Sequence, residues 1–129
     1  MADEFDIIDI VFAATEEANV GITGYKDNSA TGEKDNHYTV RGIGMETTKV
    51  INKAPVVNIN IFIKKLSNGM PNRSLMKEVK RKMASSLKDI THPVGMYWKS
   101  RIVWSESLGE AKAGFDCTNI RLEVITQLN

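Results

Sequence analysis

The chain has 129 residues, a formal net charge of +1, 42% hydrophobic and 26% charged residues, and a single cysteine. That length fits one domain that can bury its own core, and the balanced charge singles out no class of partner. The lone thiol, Cys117, excludes an internal disulfide framework, and the longest uncharged apolar run, Ala54–Ile63, falls far short of the roughly 20 residues of a membrane helix.

Residues 3–18 carry a helical pattern. Phe5, Ile8, Val11, Phe12 and Thr15 recur at spacings of three and four and form one apolar stripe. Asp3 can cap the start, and acids in the first turns suit the helix dipole. The segment holds six acids, Asp6, Asp9 and Glu16 among them, and no Lys or Arg. Its polar face is either solvated or one half of a charge-matched subunit contact. The acidic start is the reverse of a signal peptide's, so a cytoplasmic protein is expected.

Residues 20–26 read as a weak, glycine-broken strand. Residues 27–36 contain no large apolar side chain and read as a mobile polar loop. Long polar loops commonly order only against a partner, so Asp27, Asn28, Glu33 and Lys34 are candidate assembly residues, and removal of Ser29–Lys34 is expected to leave the fold intact but impair assembly. Residues 37–47 alternate again, which predicts a hairpin around the loop. Its ten-residue connection is longer than a hairpin needs.

The strongest signal lies at 55–63. Val57, Ile59, Ile61 and Ile63 share one face, with Val56, Asn58, Asn60 and Phe62 on the other. Asn-Gly-Met-Pro at 68–71 marks a turn. The spacing of Met76, Val79, Met83, Leu87 and Ile90 then predicts a helix over 73–90. His92-Pro93 closes it. A strand at 100–107 is expected to place Ile102 and Trp104 on one face, opposite Arg101, Val103 and Ser105. A glycine-bounded turn follows at 108–114. The last strand, 115–127, puts Ile120, Leu122 and Val124 inward and Arg121 and Glu123 outward. The expected fold is α+β, an antiparallel or mixed sheet of about five strands with two helices packed on it. The order is α-β-β-β-α-β-β, in one domain over 1–129.

No catalytic, cofactor or metal site is visible. His37 and His92 are too few and too isolated for a zinc site, and Cys117 has no histidine nearby in sequence. Phosphate-loop, dinucleotide and nucleophile-elbow patterns are absent from the sequence. From Lys64 to Lys88 there are eight Lys/Arg and one acid, Glu78. The face carrying Arg73, Lys77, Lys80 and Arg81 admits three readings. It is a solvated surface, a partner for the acidic first helix within or between subunits, or a phosphate-binding patch. Interleaved exposed aromatics, usual for single-strand recognition, are missing, which argues against nucleic acid as the main partner.

The run Val56-Val57-Asn58-Ile59-Asn60-Ile61-Phe62-Ile63, the turn Ser67-Asn68-Gly69-Met70-Pro71-Asn72 and the amphipathic helix after it resemble the small tail-completion or tail-terminator proteins of long-tailed bacteriophages and prophages. The sequence likeness covers about Pro55–Ile90 and, loosely, the last strand. The resemblance implies a structural head–tail joining subunit with no catalytic residues or cofactor. It implies self-association into a ring, commonly six-fold, between tail tube and head connector. The implied location is the cytoplasm during assembly and then the virion tail or neck. Asn58 and Asn60, with the acidic and basic helix faces, become candidate subunit contacts. The rival readings are a nucleic-acid-binding module using the basic face of 73–90, or a small bacterial domain of other function.

Overall fold

The computed structural model describes residues 4–43, 46–47, 51–95 and 97–127. The order is α1 (Glu4–Glu17), β1 (Thr23–Lys26), β2 (His37–Ile43), β3 (Glu46–Thr47), β4 (Ile51–Lys64), α2 (Arg73–Leu87), β5 (Trp98–Lys112) and β6 (Phe115–Gln127). The strands form one mixed sheet in the order β1-β2-β4-β6-β5, and the two-residue β3 pairs with β4 beside that path. The α+β class and, the two-residue β3 apart, the element order are those read from the sequence.

β4 lies at the centre, paired antiparallel to β2 on one side and β6 on the other. Its β-branched residues Val57, Ile59, Ile61 and Ile63 are at most 1% exposed. They pack with Val79, Met83 and Leu87 of α2 and with Ile7, Ile8 and Val11 of α1. Burial of each such side chain is worth roughly 1.5–3 kcal/mol. Both helices therefore cover the same face of the sheet. Asn72 caps α2 by accepting from the Leu75 amide at 3.2 Å, a contact worth about 1 kcal/mol. The helix ends at Leu87 rather than continuing to Ile90, yet Ile90 still reaches the core from the segment beyond.

Three expectations need correction. In α1 the buried stripe is Ile7, Ile8, Val11, Ala14 and Thr15, while Phe5 is 66% exposed. The pattern around Phe5 and Ile8 is equally helical, and the sheet selects the neighbouring stripe. Phe12 lies beside that stripe and stacks on Tyr38, with ring centroids 5.9 Å apart.

Second, β1 and β2 do not form a hairpin. They run parallel, with Thr23 opposite His37 and Lys26 opposite Val40. The polar loop is the crossover that a parallel pair demands, which accounts for its length. It must carry the chain back along β1, about 10 Å at strand rise.

Third, Val103 forms a bulge. Ile102 pairs with Leu122, but the next partner, Arg121, is taken by Trp104. The extra residue shifts the alternation by one, so Trp104 lies on the opposite face from Ile102. β5 also runs on to Lys112, and the link to β6 is the short Ala113-Gly114 pair, with Gly114 at φ +82°. The register is irregular twice more before that turn.

Two variants test this packing. Ile61→Asp puts a carboxylate between sheet and helices and is expected to abolish the cooperative thermal transition seen by circular dichroism. A Cβ at Gly24 would lie 2.4 Å from Cζ of the Tyr38 ring, and that ring is 1% exposed with nowhere to go. Gly24→Ala should therefore cost about 1–3 kcal/mol in denaturant unfolding.

Candidate functional site

The face of the sheet turned away from the helices is set by the β4 alternation. Asn58, Asn60 and Phe62 lie on it, opposite Arg121, Asn119 and Cys117 of β6 and Arg41, Thr39 and His37 of β2. Asn119 joins the strands. Its Nδ2 donates to Oδ1 of Asn60 at 2.8 Å and of Asn58 at 3.1 Å. Arg121 Nε donates to the same Asn58 oxygen at 3.2 Å. The Arg121 guanidinium lies 4.5 Å from the centre of the Trp104 ring, a cation–π contact that the Val103 bulge makes possible. Asn58, Asn60, Trp104 and Arg121 remain half-buried, whereas Asn119 is 3% exposed. Its Oδ1 has no hydrogen-bond partner among the described residues.

The other end of this face is aromatic. His37, fully buried, stacks on Phe62 at 4.8 Å and meets the edges of Phe115 and Tyr25 at 5.3 and 6.1 Å. Its Nδ1 donates to the Asp35 carbonyl at 2.8 Å, and its Nε2 accepts from Lys112 Nζ at 3.3 Å. That pairing fixes a neutral imidazole with the proton on Nδ1. Burial lowers the His37 pKa below the usual histidine range, and the Lys112 charge adds to the effect. Lys112 also sits over Phe62 and Phe115, 5.8 and 5.3 Å from their centroids. Cys117 is 2% exposed, and burial pushes its thiol up to about 11, which leaves no nucleophilic thiolate near neutral pH. Among the described residues no group of three or more His, Cys, Asp or Glu is placed to hold a metal ion.

The crossover loop is anchored from within. The Tyr25 hydroxyl donates to the Glu33 carboxylate, which also accepts from the Asp35 amide at 3.0 Å. The Tyr25 bond holds the Glu33 pKa below its ordinary value. The Asp27 amide donates to the Val40 carbonyl at 2.8 Å, and Asn36 Oδ1 accepts from the Lys64 amide at 2.7 Å. Of the candidate assembly residues, Glu33 turns inward, while Asp27, Asn28 and Lys34 are exposed.

The charged helix faces differ in how they are satisfied. Asp9 pairs with Lys26 of β1 at 2.8 Å. The Tyr38 hydroxyl, raised to about 12 chiefly by burial, stays protonated and donates to Glu16 Oε1 at 3.2 Å. Asp6 is half-buried on the same helix. On α2, Lys82 pairs with Glu78 at 3.3 Å. Arg73, Lys77, Lys80 and Arg81 have no ion pair among the described residues. These four line one side of a cleft of about 540 Å³ between α2 and the β5–β6 hairpin. Ser107, Thr118 and Asp116 lie on its sheet side. Asp116 Oδ1 accepts from Lys65 Nζ at 2.9 Å, and its Oδ2 is buried without a partner.

The structure thus brings the four α2 cations together and brings Asn58 and Asn60 together. It separates these two groups from each other, on opposite sides of the sheet. Sequence reasoning missed Asn119, Trp104, Asp116 and the packing of His37. Asn119 was the findable one, since it shares the two-residue alternation with Arg121. A scan against protein-family models finds no match to the chain, and a search of curated proteins finds no similar sequence. Among the described residues no helix is long and apolar enough to cross a membrane.

His37 generates a pH prediction. Its folded pKa lies below the unfolded value near 6.5, so the unfolded chain takes up the proton first as pH falls. The stability it contributes is whole above about pH 6.5 and is lost progressively below it. The midpoint of thermal unfolding should fall between pH 7.5 and 5.5 in the native protein, and less steeply in His37→Gln.

Proposed function

We propose that the protein is a virion assembly subunit, a tail terminator or head–tail joining protein of a long-tailed phage or prophage, acting by ring-like self-association. The observation that carries this reading is the character of the helix-free face. A solvated sheet face alternates polar residues outward. This one leaves Phe62 and Trp104 half-buried there, around an amide cluster bonded to itself. Paired polar groups and aromatic rings suit contact with protein rather than with water.

A closed ring needs two different patches per subunit. The helix-free face supplies one, and the helix layer with exposed Phe5 supplies a second of different chemistry. The resemblance over Pro55–Ile90 adds the expectation of a six-fold ring between tail tube and head connector. In that setting the protein is made in the cytoplasm and ends in the virion tail or neck. The reading assigns no catalysis and no cofactor.

Light scattering coupled to gel filtration, with negative-stain images, tests it. Rings of six subunits are expected, alone or on addition of tail-tube protein. Trp104→Glu should keep the circular dichroism spectrum and lower the assembly to monomers. A monomer at every concentration, with and without tail-tube protein, would overturn the reading.

A further inference from the structure

We propose that the cleft between α2 and the β5–β6 hairpin binds a nucleotide through its phosphates, a site separate from the helix-free face. Arg73, Lys77, Lys80 and Arg81 fall at helical spacings that put them on one side of α2, and all four line the cleft. From first to last they span about 12 Å at helical rise, room for several phosphates in a row. The internal partners that the sequence offered are engaged elsewhere, Asp9 with Lys26 and Glu16 with Tyr38. None of the four cations makes an ion pair among the described residues, so their charge is not taken up by direct pairing within the subunit.

A second observation is independent of charge. Asp116 lines the same cleft, is 8% exposed, and has an oxygen with no hydrogen-bond donor among the described residues. A buried acceptor without a donor is unfavourable. A hydroxyl or amino group of a ligand would satisfy it, whereas bare phosphate would be repelled. The cleft therefore asks for phosphates at its helix side and a hydrogen-bond donor at its sheet side, which is the make-up of a nucleotide. A volume of about 540 Å³ lies within the usual range of small-molecule sites. The α2 amino end, with Arg73 and Ser74 on the cleft and no acid in its first turn, adds to the attraction for phosphate.

The test uses the full chain and a fluorescent ATP derivative followed by anisotropy at low and high salt. Saturable binding is expected, weakened tenfold or more by Lys77→Glu with Arg81→Glu. Both side chains are solvent-exposed, so the circular dichroism spectrum should not change. ATP should compete better than inorganic triphosphate, and Asp116→Asn should narrow that difference. Stronger competition by a 20-nucleotide single strand than by ATP would assign the phosphates to a nucleic-acid strand in the same cleft. Absence of saturable binding, or binding indifferent to the double substitution, would overturn the proposal. Neither result bears on ring formation, which rests on the other face of the sheet.

Discussion

β4 is hydrogen-bonded along both edges, and this constraint governs the rest of the molecule. A strand held on both sides cannot slip, because a shift of one residue would turn Val57, Ile59, Ile61 and Ile63 away from the helices. The neighbouring strands inherit its alternation through their register. Tyr38 and Val40 of β2 and Ile120 and Leu122 of β6 are inward because they stand opposite inward residues of β4. The same rule sends His37, Thr39, Asn119 and Arg121 outward. The core and the candidate interface are two consequences of one ladder.

The two faces solve different problems. On the helix side, apolar area removed from water supplies the driving force, and polar groups there are few, one oxygen of Asp116 being left unbonded among the described residues. Thr15 donates to the Phe12 carbonyl at 2.6 Å and lies 3.0 Å from the Tyr38 hydroxyl. On the other side, position is enforced by directional bonds. One amide, that of Asn119, holds β6 to two sites on β4. His37 joins β2, the crossover loop and the β5–β6 turn through Asp35, Phe62, Phe115 and Lys112. A buried neutral imidazole accepting from an ammonium stands only while no proton arrives, so this corner is sensitive to acid.

Much of this was legible in the residue pattern, and the failures have physical causes. The β4 face and the α2 stripe could be read because both carry β-branched or long apolar residues at one period over two or more turns or pleats. Phe5 misled because α1 has two adjacent apolar stripes, and only the sheet decides between them. The parallel pairing of β1 and β2 depends on which neighbour a short strand finds, and the sole trace of it was the length of loop 27–36. Trp104 misled because a bulge leaves no mark in composition. Ile102-Val103-Trp104 alternates as well as any strand, and the change of face is visible only in its pairing with Leu122 and Arg121. The cationic cleft was half-legible. The helical spacing of Arg73, Lys77, Lys80 and Arg81 was plain, but whether an internal acid would neutralise them was a matter of tertiary placement. Asp116 could not be assigned to the cleft before the β5–β6 hairpin was in place.

The repeated irregularities of β5 bear on what its free border can pair with. β5 is the outermost strand on its side and fifteen residues long, the sort of free border that recruits stray strands into open-ended stacks. Three breaks in register along it spoil the even row of amides and carbonyls that such recruitment requires. A long, unsealed strand is thereby made a poor template for simple strand addition, and the broad faces of the sheet, rather than its border, are left as the surfaces a partner could cover.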